Sequence, residues 1–593
     1  MEKLLPYFMQ ELAILRRNLR ELVRSKPEMA AKLALADGES ADPGIERVVQ
    51  GTALLCAQQA WKLDHAHDRF TSDLLENTEP FYLRPLPSCS IAQVQGTDER
   101  TTSTIPRGTS WRTRATPACR FRTVYDVTLA PLAITAASFV PCIDVPADLR
   151  IPDGTGGAIK LTIDSTEPAR GLDELGIDKV RVFVDADAAT RTALYDALLA
   201  RTLCTCVESD QQWRKLAALP LTPVGYRPEE AMLPVLTDVE TGLRLWAEYF
   251  AMPEKFDFFD IDLHTVLAHA PPGARSVTLH LILPDLHETP APRLLETLSA
   301  ATFRLGCTPV INLFERPAEP VRLVKGRKTY QIVVPRAGEA EGTFYRIDSA
   351  QLTGNKDGQA INARMAALNV GLTRQAEYLW LARLANATTG TQDEVTIVDR
   401  DEQPVSLQSG TVDMRLTCTN GDLPASLPIG HADGDLTGDQ QAGGRVIRLL
   451  RQPTRPCALA DRRGGQWDLI RTLAWGYGCH SRNMLVEMLG QNASADCAVA
   501  QRQLSGIVAV HRTEHMKWTR YLGHGLLAYG LEVAVTIDES AFAQRSIFVF
   551  ARLLDDYYAR CTGRTNFTRV VLRSTSGAEL LRCAERMGEV SPL

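Results

Sequence analysis

Leu5, Phe8, Leu12, Leu15, Leu19 and Leu22 recur at spacings of 3-4-3-4-3. This is a heptad seam, and it predicts an N-terminal helix of about five turns. Glu11, Arg16, Arg17, Arg20 and Glu21 flank the seam. A stripe this narrow needs a second helix to cover it. The next helix is predicted to begin at Asp42-Pro43, because Asp caps a helix and Pro suits its first position. Val48, Thr52, Leu55, Leu63, Ala66, Phe70 and Leu74 then follow at helical spacing. Two arrangements satisfy the seam: an intramolecular hairpin with this second helix, or a bundle with another chain. Prolines 80, 85 and 87 close the helical part.

From Ser88 the period changes from helical to two. Ile159, Leu161 and Ile163 alternate with polar residues, as do Val180, Val182 and Val184, and Val277, Leu279, Leu281 and Leu283. These read as half-buried strands. A short helix is predicted over Thr190–Arg201. The run Cys307–Leu323 mixes short apolar stretches with prolines and predicts an extended segment along a sheet edge. Val412, Met414, Leu416 and Cys418 form another alternating strand. Asn386–Glu394 and the glycine-rich Pro428–Arg445 read as loops or linkers. Beyond Val446 the patterns predict helical stretches at Trp467–Leu489, a strand at Leu531–Ile537, a helix at Ser546–Cys561 and a strand at Thr568–Arg573. The fold class is therefore α+β and multidomain. An N-terminal helical segment (1–88) precedes a mixed α/β domain (89–300), a β-rich domain (301–445) and a C-terminal α+β domain (446–593).

The stretch Leu221–Asp262 concentrates aromatic residues. Trp246, Tyr249, Phe250, Phe256, Phe258 and Phe259 fall within fourteen positions of a chain that is 7% aromatic. Leu243, Trp246 and Phe250 repeat as a helix, which Pro253 ends. Phe256, Phe258 and Ile261 suggest a strand with a bulge or kink. Such a cluster serves either as core packing or as a joint against a partner.

Composition excludes several classes. The 593 residues carry a net charge of −6, which gives no sign of a general polyanion binder such as a nucleic-acid protein. Thirteen cysteines lie at irregular spacing without a C-x-x-C pair. This pattern predicts reduced, mostly buried thiols in the cytosol. Glu11 interrupts any apolar signal core at the N-terminus. No apolar run reaches the ~18 residues that a membrane helix requires.

The motifs that could carry chemistry are near misses. Asp433, Asp435 and Gly438 imitate a calcium loop, but the twelfth position is Gly444 rather than a carboxylate. Asp257, Asp260 and Asp262 read as a solvated face. His511 and His515 stand four apart without the H-E-x-x-H pattern, and His65 and His67 diverge on a helix. Gly523, Gly525 and Gly530 lack the spacing and the Lys-Ser/Thr of a phosphate loop. Gly154, Gly156 and Gly157 read as a turn. Asp555-Asp556 are helix neighbours that do not share a face. There is no G-x-S-x-G nucleophile elbow. The residues point to no enzyme, no metal, no cofactor and no small-molecule substrate.

Several stretches together resemble the TssF family, a baseplate subunit of the bacterial type VI secretion system. They include Pro6–Arg17 (PYFMQELAILRR), Lys26–Leu35, Ala41–Asp64, Leu74–Ser88, Ile105–Thr109 and Cys119–Ile134. The segments PVGYRPEEAMLP and EYFAMPEKFDFFD, Cys307–Leu323, Cys418–Leu427, Val533–Phe542 and Asn566–Val570 continue the match in order. The resemblance implies a structural subunit similar to wedge proteins of contractile phage tails. It implies assembly with TssG, TssE, TssK and a second copy of the chain around a VgrG-like spike hub, where the plate starts sheath and tube assembly. It also implies a cytoplasmic plate docked at the inner-membrane face, in indirect contact with the membrane complex. A peripheral membrane adaptor and a hydrolase are the alternative classes. Under the structural reading, the partner surfaces expected are the seam (Leu5, Phe8, Leu12, Leu15, Leu19, Leu22) and the aromatic joint (Trp246, Tyr249, Phe250, Phe256, Phe258).

Overall fold

Helices come first and sheets follow, as the change of period requires. The computed structural model describes residues 4–589 apart from 37–38, 96–101, 144, 147–148, 235–241, 288–289, 336–340, 357–358, 369–375, 385–391, 406, 408, 439–444, 458–464, 475–480, 495 and 522–523. Much of the two loops expected near 386 and 440 therefore lies outside the described residues, as does Gly523.

The first helix spans Leu5–Ser25. The second long helix spans Pro43–Thr78, a rod of about 54 Å at 1.5 Å per residue. Asp42 caps it by accepting from Gly44 N at 2.8 Å, and Pro43 sits where its missing N–H is harmless. A 3-10 turn at Pro80–Leu83 follows, and the chain then enters its sheets.

Six strands close a barrel: Cys307–Ile311, Cys89–Gln95, Val446–Leu449, Leu436–Gly438, Ser110–Thr113 and Arg120–Thr123. Trp111 and Phe121 fill it. The edge expected for Cys307–Leu323 is thus corrected in its first part. Cys307–Ile311 lies inside the barrel and is buried throughout. Pro309 is tolerated because its carbonyl accepts from Val124 N at 2.9 Å, and the pairing on that side begins only at Val310. Phe314–Pro317 does end a sheet, the eight-stranded one whose long central strands are Ser409–Thr419 and Thr343–Lys356.

Two further sheets pack around the aromatic stretch. One orders Leu221–Pro223, Phe258–Asp262, Lys179–Val184 and Phe303–Arg304. The other contains Ser276–Pro284 between Cys204–Ser209 and Thr155–Ser165. The C-terminal sheet orders Ile507–Tyr521, His524–Ile537, Phe567–Ser574 and Glu579–Arg582, and Arg586–Met587 also pairs with its third strand. The helix Ile547–Arg560 packs on this sheet and shares one hydrophobic core with the aromatic stretch.

His511 and His515 sit exposed on the strand Ile507–Tyr521, and one local expectation changes. The aspartates at 257, 260 and 262 are not a solvated face, because each has a partner. Asp257 pairs with Arg191 at 2.7 Å, and Asp260 binds Arg181 through two bonds of 2.8 and 2.9 Å. Asp262 caps the turn at Thr265.

Candidate partner interface

The two N-terminal helices pack on one another, and Arg16 ties them. Its guanidinium lies 3.1 Å from Glu46 and 2.9 Å from Glu39. That contact holds the Glu46 carboxyl below the usual carboxylate range. On the long helix, Ala53 and Ala57 are fully buried, and residues this small let two helix backbones approach closely. On the first helix, Leu12 is buried, Phe8, Leu15, Leu19 and Leu22 are half-buried, and Leu5 is 58% exposed. Of the two arrangements open to the seam the hairpin is the one present, so the seam expected to meet a partner packs within the chain at Leu12. It meets a different face of the long helix from the one the apolar stripe marks.

That stripe remains uncovered. Val48, Thr52, Leu55, Leu63 and Phe70 lie within a narrow arc of the helix at 100° per residue. All five are exposed, with Leu63 at 70% and Phe70 at 59%. A row of large exposed side chains on one helix face is the usual mark of an interaction surface.

Among the described residues, side-chain bonds at its C-terminal end fix the long helix to the body. Asp73 binds Arg383 through two bonds of 2.7 and 2.9 Å. Glu76 holds Arg84 through bonds of 2.6 and 2.9 Å. Thr71 and Ser72 both donate to Gln466 Oε1. Sequence reasoning identified the stripe but not this anchoring, whose partners lie up to 395 positions away.

The aromatic joint lies elsewhere. The helix Leu243–Ala251 ends before Pro253, as expected, but Phe256 closes a 3-10 turn and the strand begins at Phe258. Trp246, Tyr249, Phe250, Phe256 and Phe258 are all buried within this chain. The expectation that they meet a partner is therefore corrected, since the chain's own rings cover them. Trp246 stands edge-on to Phe550 at 5.6 Å, and Phe258 meets Tyr125 at 5.3 Å and Phe183 at 4.8 Å. Beneath them lies a charged knot. Glu248 accepts from Met232 N at 3.0 Å, Leu233 N at 2.9 Å and Arg244 Nη1 at 2.7 Å, and it pairs with Lys255. Lys255 also donates to Gly225 O at 2.9 Å. Burial opposes both charges. For Glu248 the neighbouring Arg244 and Lys255 win, and the carboxyl lies below its ordinary range. For Lys255 burial wins, and the amine lies below its own. The knot clamps the loop before the aromatic helix onto that helix.

The remaining candidates have structural uses. Asp435 accepts from Gly430 N, His431 N and Leu449 N at 2.7–3.0 Å and so shapes its loop. Asp556 holds Arg560 and Arg586. Among the described residues no group of three or more His, Cys, Asp or Glu side chains is placed to hold a metal ion. No described helix is long and apolar enough to cross a membrane.

Comparison with known proteins gives concordant matches over the whole length. The family described as "Type VI secretion system, TssF" matches residues 1–590. The chain is 28% identical to the Type VI secretion system component TssF1 of Pseudomonas aeruginosa, in an alignment of 622 residues that covers 99% of each chain. Among solved structures, a chain of a type VI secretion TssK-TssF-TssG baseplate subcomplex superposes with a TM-score of 0.68 at 23% identity, covering 92% of this chain and 100% of that one. A chain of a type VI secretion baseplate complex gives 0.56 at 20% identity, covering 99% and 100%.

Proposed function

Because that family match runs from residue 1 to residue 590, the chain belongs to the TssF family of the type VI secretion system, and from this premise we propose that it works as a wedge subunit of the baseplate, joined to TssG- and TssK-type subunits. The mast formed by the two N-terminal helices supplies the principal contact. The observation that carries this reading is the uncovered row Val48, Leu55, Leu63 and Phe70. Covering a side chain of this size stabilises a complex by about 1.5–3 kcal/mol, before the ordering cost of association is set against it.

In the assembled plate a TssE-type subunit and a second copy of this chain complete the wedge, and several wedges surround a spike hub. The plate lies in the cytoplasm, docked at the inner-membrane face through the membrane complex, and starts sheath and tube assembly. Permanent interfaces of this type typically bury ~2,000–5,000 Å². The chain's part is mechanical: packed rigid pieces shift between two arrangements, and no covalent bond is made or broken.

The test is co-expression with a TssG-type partner. Leu55→Asp combined with Leu63→Asp is expected to abolish co-purification while the melting temperature of the chain stays the same. Normal co-purification of the double variant would refute the mast as the contact.

A further inference from the structure

The C-terminal sheet ends in an uncovered strand. Ile507–Tyr521 is fifteen residues long and occupies one edge of its sheet. Its neighbour, His524–Ile537, is supported on the far side only from Gly530 onward, where Gly530 lies opposite Phe567. The six pairs from Met516–Tyr529 to Tyr521–His524 therefore extend past that support as a two-stranded arm, tied to the body by Lys517 Nζ, 2.6 Å from Glu585 Oε2. Every residue from His511 to Trp518 is exposed, including Met516 at 72% and Trp518 at 73%. At the base, Arg482 donates to Ile507 O at 2.6 Å and closes the edge there. Among the described residues no backbone hydrogen bond from outside the hairpin reaches Val508–Tyr521.

A long open edge is a template for another strand. The residues along it select which one. When two copies of a strand pair antiparallel about a two-fold axis perpendicular to the sheet, one residue must lie opposite itself. With Thr513 on the axis, Arg512 faces Glu514 of the other copy, Val510 faces Met516 and Val508 faces Trp518. In these three pairs opposite charges meet and apolar residues meet apolar residues, while Ala509 lies opposite Lys517. Moving the axis by one residue destroys this match. Arg512 then faces Arg512, or Glu514 faces Glu514, and like charges directly opposite are destabilising. The strand is thus self-complementary with Thr513 on the axis.

We propose that Ile507–Tyr521 pairs with the same strand of a second copy of this chain, centred on Thr513, and so joins two C-terminal sheets into one continuous antiparallel sheet. The contact is isologous, with each half contributing the same residues. The proposal rests on the reading that two copies share an assembly, and it assigns their contact to this edge.

Cysteine cross-linking of the full-length chain reads the register directly. Thr513→Cys is expected to yield a reducible dimer under mild oxidation that the unsubstituted chain, with its own cysteines, does not yield. A mixture of His511→Cys and His515→Cys chains is expected to cross-link several-fold more than either alone. Arg512→Glu is expected to suppress the Thr513→Cys dimer, and adding Glu514→Arg is expected to restore it. Absence of the Thr513→Cys dimer, or equal cross-linking of His511→Cys alone and in the mixture, would overturn the pairing. Neither result touches the mast contact, which is read by co-purification.

Discussion

Lys255 and Glu248 face each other with no solvent contact on either side chain. Their pairing holds the aromatic helix to the loop that precedes it, at the centre of the largest core. A buried pair of this sort is costly to break, because removing Lys255 leaves the buried Glu248 with Arg244 alone among its described cationic partners.

Lys255→Met is therefore expected to destabilise the chain by roughly 3–5 kcal/mol. Adding Glu248→Gln is expected to deepen the loss, because the buried Arg244 then loses the carboxylate that lies 2.7 Å from it. The denaturant midpoints of the single and double variants decide the matter. If the double variant is as stable as the single, shape rather than charge governs the site.

Leu12 and Leu55 should behave oppositely, although both belong to apolar rows near the N-terminus. Leu12 is buried between the two helices and Leu55 is 65% exposed. Leu12→Asp places a carboxylate in that contact and is expected to lower the melting temperature, with a cost of several kcal/mol. Leu55→Asp should change stability by less than about 0.5 kcal/mol. Thermal melts of the two single variants separate them, and an equal drop would contradict the assignment of faces.

Phe256→Ala is expected to cost about 3–5 kcal/mol. The ring is fully buried against Tyr226 and Tyr249, with centroids at 5.2 and 6.0 Å. Chemical denaturation measures the loss. A variant that melts like the parent yet fails to assemble would return this residue to the interface.

Asp257 makes part of the stability depend on pH. Burial raises its carboxyl from 3.8 to about 7, against the pull of Arg191. Between these values the folded chain holds a proton that the unfolded chain has released. The contribution is complete below about pH 4 and is lost as the pH rises to about 7, a change of up to about 4 kcal/mol. Asp257→Asn removes the titration. The melting temperature of the parent should fall from pH 4.5 to 7.5 more steeply than that of the variant, and parallel curves would exclude Asp257 as the source.

Much of the architecture is legible wherever one face of an element is buried. The alternation at Ile159–Ile163 and Val277–Leu283, and the cap at Asp42, all lead to the elements observed. The hairpin of the first two helices was legible too, but not the faces that meet. Ala53 and Ala57 carry little hydrophobic signal, so the larger residues of the exposed stripe draw attention first. The arm was not legible, because His511–Trp518 is exposed on both faces and charges fall on each. Without a buried side there is no alternation to read. Pro309 misled for another reason. Its position argues for an edge only where the missing N–H would be needed, and here the strand requires its carbonyl alone.

The long helix is clamped at Thr71–Glu76 and extends about 42 Å beyond that clamp. A tilt of about 5° at the clamp would sweep the far end through about 4 Å at that length. The rod thus acts as a lever, turning a slight rotation of the sheet body into a displacement large enough to change which side chains of a neighbour it touches.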